Sequence, residues 1–204
     1  MDPSFWHERW ERNEIGFHQP RPHAALARWW PTLGLAPGTR VFVPLAGKSR
    51  DLVWLAAAGY QVVGIELSAL AVQQFFDENG PQPGIELRCG NLFELGVAAL
   101  GPIAGVFDRA SLVALPASLR RAYAATLSAL SPPGTRTLLV SMEYDSTRMA
   151  GPPHSVDESE IHTLFGGTHA IELLERNSAV ADFPKFAQRG LTELAETCYR
   201  LVRR

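Results

Sequence analysis

The chain has 204 residues, 46% of them hydrophobic and 20% charged, which suits one globular domain with a substantial core and excludes a disordered chain. Its formal net charge of −2 offers no electrostatic attraction for nucleic acid or an anionic membrane. The opening Met1–Arg9 is charged from the start, unlike a signal peptide, and the longest mostly apolar run, Leu52 to Leu67, is too short and too interrupted to span a bilayer.

The first thirty residues hold four of the five tryptophans, Trp6, Trp10, Trp29 and Trp30. Trp6 and Trp10 stand four apart and share one face of a helix, with Phe17 following in a loop. Such a stripe either packs on a sheet or covers a site, and both readings stand at this point. From about residue 40, runs of strand length alternate with helical patterns. Arg40–Leu45 reads as a buried strand ending in the loop Ala46-Gly47-Lys48-Ser49. Asp51–Ala58 reads as a helix stopped by Gly59, and Tyr60–Glu66 as a second strand. Ser68 caps the next helix, whose Leu70, Val72, Phe75 and Phe76 lie near one face before Gly80 ends it.

Ile85–Cys89 and Ile103–Asp108 are the third and fourth strands. Pro116 fits the first turn of a helix in which Leu119, Tyr123, Leu127 and Leu130 recur at helical spacing. Thr135–Glu143 is a fifth strand. Asp157 with Glu160 forms a capping pair for a short helix through Phe165, closed by Gly166-Gly167. Ala170–Glu175 and Thr197–Val202 are two final strands. The alternation predicts a mostly parallel α/β sheet covered on both faces, and the two late strands predict an antiparallel hairpin at one edge. No repeat, low-complexity tract or linker divides the chain, so 1–204 is expected to be a single domain, with 1–35 as an N-terminal lid.

In an open α/β sheet, ligands sit beyond the carboxyl ends of the strands where strand order reverses. The loop after Leu45, Glu66 and the pair Asp108-Arg109 fall at such ends. Glu66 comes after the loop by roughly 20 residues, the separation at which a carboxylate takes two ribose hydroxyls through charge-assisted hydrogen bonds. A solvent-facing strand end is the alternative. Pro44-Leu45-Ala46-Gly47-Lys48-Ser49 offers one glycine, where a pyrophosphate needs several, and the upstream glycine of a P-loop is replaced by Phe42. The phosphate-free donor S-adenosylmethionine therefore fits better than a nicotinamide cofactor. A sulfonium cation would also gain from an aromatic cover. The six histidines lack zinc spacing, and no metal is expected. Cys89 and Cys198, far apart, read as free thiols of a cytoplasmic protein.

Several blocks in order carry a more specific resemblance: Trp6-His-Glu-Arg-Trp10, Gly16-Phe17-His18-Gln19, Val43-Pro-Leu-Ala-Gly-Lys48, Gly64-Ile-Glu-Leu-Ser68, Cys89-Gly-Asn-Leu-Phe93, Phe107-Asp-Arg109 with Leu112-Val-Ala-Leu115, and Gly151-Pro-Pro153 with Leu164-Phe-Gly166. From about residue 5 to 200 the chain resembles the thiopurine S-methyltransferase family, in its bacterial form. The resemblance implies a Rossmann-like class I methyltransferase fold with a seven-stranded sheet. It also implies S-adenosylmethionine as methyl donor and a small-molecule acceptor, with no need for more than a monomer.

Carried over residue by residue, the resemblance makes Trp10 the cover of the donor's methionine end and the Leu45 backbone the contact for its amino-acid group. Glu66 holds the ribose, Asn91 and Leu92 flank the adenine, and Arg109 stands between donor and acceptor. Phe17 and Arg189 face the acceptor, with His18 beside Phe17. The acceptor implied is a soft nucleophile: a thiopurine or aromatic thiol sulfur, or a selenium or tellurium oxyanion. Methyl transfer to such an atom depends on alignment and desolvation, so no catalytic triad is expected. Two rivals remain: a nicotinamide-dependent oxidoreductase on the same sheet, and a non-enzymatic sensor that binds the donor.

Overall fold

A computed structural model describes residues 3–204. In chain order its elements are α1 (Pro3–Glu11), α2 (Ala24–Trp29), β1 (Arg40–Val43), α3 (Arg50–Ala57), β2 (Gln61–Glu66), α4 (Ala69–Asn79), β3 (Ile85–Cys89), α5 (Val97–Leu100), β4 (Gly105–Arg109), α6 (Ala117–Leu130), β5 (Arg136–Glu143), α7 (Glu158–Phe165), β6 (His169–Ser178), α8 (Pro184–Gln188) and β7 (Ala195–Arg203). Single 3-10 turns at Trp30–Leu33, Leu92–Glu94, Leu112–Ala114 and Val180–Asp182 complete the chain path. No helix among the described residues is long and apolar enough to cross a membrane.

The strands form one seven-stranded sheet in the order β3-β2-β1-β4-β5-β7-β6. The first five are parallel, while β7 runs antiparallel to both β5 and β6. The chain moves outward from β1 to β2 and β3, then returns to place β4 on the other side of β1. Strand order therefore reverses between β1 and β4, which makes their carboxyl ends the place for a ligand.

Central strands are apolar on both sides because helices cover both faces. Val41, Phe42 and Val43 of β1 are all buried, as are Val62, Val63 and Ile65 of β2. On one face α6 packs Tyr123, Leu127 and Leu130 with Val106, Leu139 and Tyr199. On the other, Leu26, Trp30 and Leu33 pack with Leu52, Phe107 and Leu138.

Local signals set the helix ends. Ser49 accepts the Asp51 N–H to cap α3, and Ser68 accepts the Ala71 N–H at 3.3 Å to cap α4. Gly59, at φ +92°, turns the chain out of α3 in a left-handed conformation that glycine adopts freely.

Several expectations differ from the structure. Pro116 is the residue before α6, not part of its first turn. The capping pair of α7 is one-sided: Asp157 accepts the Glu160 N–H at 2.8 Å, but the Glu160 carboxylate instead takes Arg120 through two hydrogen bonds of 2.7 and 3.1 Å. The expected antiparallel edge hairpin is present, its strands joined by residues 179–194, which include α8. The first 35 residues are divided. Trp30 is buried edge-on to Phe107, with ring centroids 6.1 Å apart, whereas residues 3–19 supply the side chains that reach the cavity at the carboxyl ends. Ala25, Leu26, Trp30 and Leu33 thus belong to the core.

Gly64 lets β2 approach its neighbours: a Cβ there would stand 2.7 Å from Leu87 Cδ1 and 3.1 Å from Ala46 Cβ. Gly64→Val is expected to cost about 1–3 kcal/mol by overpacking this junction. Urea denaturation checks it, as a lower midpoint at unchanged slope.

Candidate functional site

The carboxyl ends of β1, β2 and β4 open into a cavity of about 1050 Å³, at the upper end for small-molecule sites and large enough for two ligands side by side. Trp10, Phe17, Leu45, Glu66, Asn91, Leu92, Arg109 and Arg189 all line it. One space therefore gathers these eight residues together with His18, while Asp108 is fully buried and does not line it.

The turn after β1 is built on Glu66. Leu45 takes the left-handed φ of +45°, which a branched side chain adopts at a cost of about 1–3 kcal/mol. Hydrogen bonds from the next two residues hold that strain in place. The Ala46 N–H donates to the Ile65 carbonyl at 2.8 Å, and the Gly47 N–H donates to Glu66 Oε2 at 2.8 Å. Glu66 Oε1 accepts the Ser68 N–H at 2.8 Å. The Leu67 N–H also hydrogen-bonds the carboxylate, so of its four lone-pair sites one remains for a ligand. Glu66 is 6% exposed; burial pushes its carboxyl above the usual range, and the N–H groups of Ser68, Gly47 and Leu67 oppose that rise.

Beside it, β4 ends in a matching turn, with Ala110 at φ +59°. Ser111 Oγ donates to the Pro44 carbonyl at 2.7 Å and locks the two turns together. Asp108 anchors the second turn from below: it accepts the Leu112 N–H at 3.2 Å and the Tyr123 hydroxyl at 2.7 Å. Arg109 extends from this turn and donates to the Phe17 carbonyl at 3.1 Å, tying the N-terminal segment to the sheet. Burial pulls its guanidinium below the ordinary range, with Asp51 and Glu196 acting against that shift.

The cover itself is aromatic. Trp6 and Trp10 both meet Phe17 edge-on, at 5.7 and 5.6 Å between centroids. Trp10 is 3% exposed, and its indole lies on Gly47, where a Cβ would approach it to 3.2 Å. The lone glycine of the loop thus makes room for a tryptophan, not for a phosphate. His18 is half-buried, and burial together with Lys48 lowers its pKa.

Asn91 and Leu92 differ in what they offer. Leu92 is buried, whereas the Asn91 side chain is engaged locally, accepting the Phe93 N–H at 3.1 Å and donating to Glu94 at 2.9 Å. Residues not singled out from the sequence also line the cavity, notably Phe93, Met142, Phe183, Phe186 and the carboxylates Asp51 and Glu196. Phe183 and Phe186 stack nearly parallel, 5.2 Å apart, in the cavity wall. Arg189 is exposed beside them on the segment after α8.

Solved structures define the class. The chain superposes on magnesium protoporphyrin IX methyltransferase from Synechocystis, solved with S-adenosylhomocysteine bound, at a TM-score of 0.70 and 16% identity over 100% of both chains. It also superposes on the 1,6-didemethyltoxoflavin N1-methyltransferase of Burkholderia thailandensis, at a TM-score of 0.67 and 17% identity over 97% of this chain and 86% of that one. The fold is the Rossmann-like methyltransferase fold.

Sequence comparison is more specific. Residues 1–204 match the family profile described as thiopurine S-methyltransferase. A protein of that name from Azotobacter vinelandii is 48% identical over 100% of both chains, and one from Bordetella petrii is 46% identical over 100% of this chain and 99% of its own. The chain belongs to the thiopurine S-methyltransferase family.

The buried Asp108 makes stability depend on pH. Its carboxyl is pushed from 3.8 up to about 6, chiefly by burial, with the Tyr123 hydroxyl opposing. A carboxyl that holds its proton more tightly when folded weakens the fold as pH rises through that window, by about 3 kcal/mol once both states are ionised. Asp108→Asn is expected to remove this fall, so its stability relative to the parent should rise between pH 4 and 7. Urea titrations of both proteins across that range measure the difference.

Proposed function

We propose that the protein transfers the methyl group of S-adenosylmethionine to the sulfur of a thiopurine or other aromatic thiol. The observation that carries the reading is the buried Glu66 at the end of β2, which lines the cavity and keeps acceptor capacity for a ligand while backbone N–H groups of the β1 turn and of the start of α4 hold it. A ribose hydroxyl donating to it makes a charge-assisted hydrogen bond. Leu45, turned left-handed, faces its backbone toward the donor's amino-acid end, Trp10 covers the sulfonium, and Leu92 with Phe93 supplies apolar surface for the adenine. The donor supplies an electrophilic methyl; these residues hold it in place and keep water away.

The acceptor occupies the far side of the cavity, between Arg109 and the Phe183–Phe186 pair, with Phe17 and Arg189 at its rim. Flat apolar walls suit an aromatic ring, and Arg109 and Arg189 favour a sulfur that carries negative charge. Selenium and tellurium oxyanions suit it less, because Asp51 and Glu196 also line the cavity and repel a multiply charged anion. A cavity continuing past the donor's place argues against a sensor, and a loop with one glycine argues against a nicotinamide cofactor. Free thiols at Cys89 and Cys198 fit the cytoplasm.

Incubation with S-adenosylmethionine and a panel of thiopurines, arenethiols, selenite and tellurite, read by mass spectrometry, tests the reading. A methylated aromatic sulfur product is expected, and donor binding without any methylated product would sink it. Glu66→Ala should weaken donor binding by about 1.5–3 kcal/mol, the range for a hydrogen bond to a charged group, as measured by calorimetry. Trp10→Ala should weaken binding of the cationic donor more than that of neutral S-adenosylhomocysteine.

A further inference from the structure

The donor side of the cavity does not use Glu196. Because β7 runs antiparallel, its first residues lie at the carboxyl end of the sheet, with Glu196 paired to Met142 of β5. Glu196 lines the cavity and is 23% exposed. Its Oε2 stands 3.3 Å from His23 Nε2. His23 Nδ1 accepts the Ala25 N–H at 3.2 Å, so the neutral ring carries its proton on Nε2 and donates it to Glu196. The His23 backbone N–H in turn donates to Asp51 Oδ1 at 2.7 Å, and Asp51 Oδ2 accepts the Ser49 hydroxyl at 2.8 Å. A carboxylate is thereby oriented by a histidine that is itself pinned by a second carboxylate.

We propose that Glu196 is a catalytic residue of the methyl transfer: it takes the proton that a neutral acceptor must lose as its sulfur is alkylated. The proposal rests on the methyltransferase reading above. As the acceptor sulfur forms its bond to the methyl carbon, the carbon–sulfonium bond breaks and its electron pair stays on the donor sulfur. The acceptor's S–H proton, or the N–H proton of its thione tautomer, passes to Glu196 and then to water. A cationic donor, a neutral acceptor and an ionised Glu196 give a neutral thioether, a neutral demethylated donor and a protonated Glu196, so charge and atoms balance. Arg109, on which Glu196 and Asp51 both act electrostatically, faces the same sulfur and favours its anionic form. His23 and Asp51 are positioning residues. Soft nucleophiles need little help from a base, so Glu196 matters for acceptors that arrive protonated and hardly at all for those that arrive ionised.

The test compares two acceptors on the protein: a heteroaryl thione that is neutral at the assay pH, and an electron-poor arenethiol that is already a thiolate. Glu196→Gln is expected to lower kcat on the neutral thione by about tenfold to a hundredfold, the low end of general-base effects, and on the thiolate by less than about threefold. Glu196→Asp should recover part of the lost rate. His23→Gln, which leaves the carboxylate in place but unheld, should give a smaller loss with the same preference between acceptors. S-adenosylmethionine affinity by calorimetry, unchanged in all three, shows the variants folded. Equal losses on both acceptors, or no loss on either, overturn the role of Glu196 while the methyltransferase reading stands. A parent protein that methylates neither acceptor overturns both.

Discussion

A carboxylate buried at the end of β2 organises everything around it. Removing an ionised group from water costs several kcal/mol unless fixed donors replace the lost hydration. Glu66 finds them in the backbone N–H groups of Gly47 and Ser68, which belong to the turn after β1 and to the cap of α4. One side chain thus closes the turn after β1 and starts α4. That arrangement leaves spare acceptor capacity facing the cavity, since backbone groups approach from the protein side only.

The second constraint is the pair of left-handed turns at Leu45 and Ala110. Neither residue is glycine, so each conformation persists only because neighbouring bonds over-determine it. For Leu45 these are the Ala46 and Gly47 N–H bonds to β2. For Ala110 they are the Asp108 bonds to Leu112 and Tyr123 beneath it. Ser111 joins the two through Pro44, across the point where strand order reverses. The buried Asp108 is destabilising in its ionised form, and the fold keeps it where it steadies the turn that carries Arg109. A site that must hold two reactants in register needs such rigidity more than it needs stability.

How much of this is legible in the sequence depends on how local each cause is. The stop at Gly59 and the cap at Ser68 act within one turn, so the residues announce them. The strands β1, β2, β4 and β5 are largely apolar on both faces and stand out as runs, although Ile103 reads as strand while the ladder begins only at Gly105. Cavity residues at the carboxyl ends of parallel strands follow from topology alone. Leu45 and Ala110 carry no signal for a left-handed backbone, because leucine and alanine seldom adopt it. Glu160 reads as a partner of its own helix end, and only tertiary packing shows it held by Arg120. Short α2 and α8 lack the length at which periodicity speaks.

Glu196 is hidden in the sequence for a topological reason. The rule that ligands sit at the carboxyl ends of strands points away from the beginning of any strand, but β7 is antiparallel and its beginning lies among those ends. The same reversal explains why His23 matters. Cover and core divide near this residue, where Pro20 and Pro22 restrict the chain, and its backbone is tied to Asp51 while its ring is tied to Glu196. Trp10 and Phe17 precede that pinned point and line the cavity, with Arg109 holding the Phe17 carbonyl. His23 therefore joins the segment that carries them to α3 through Asp51 and to β7 through Glu196.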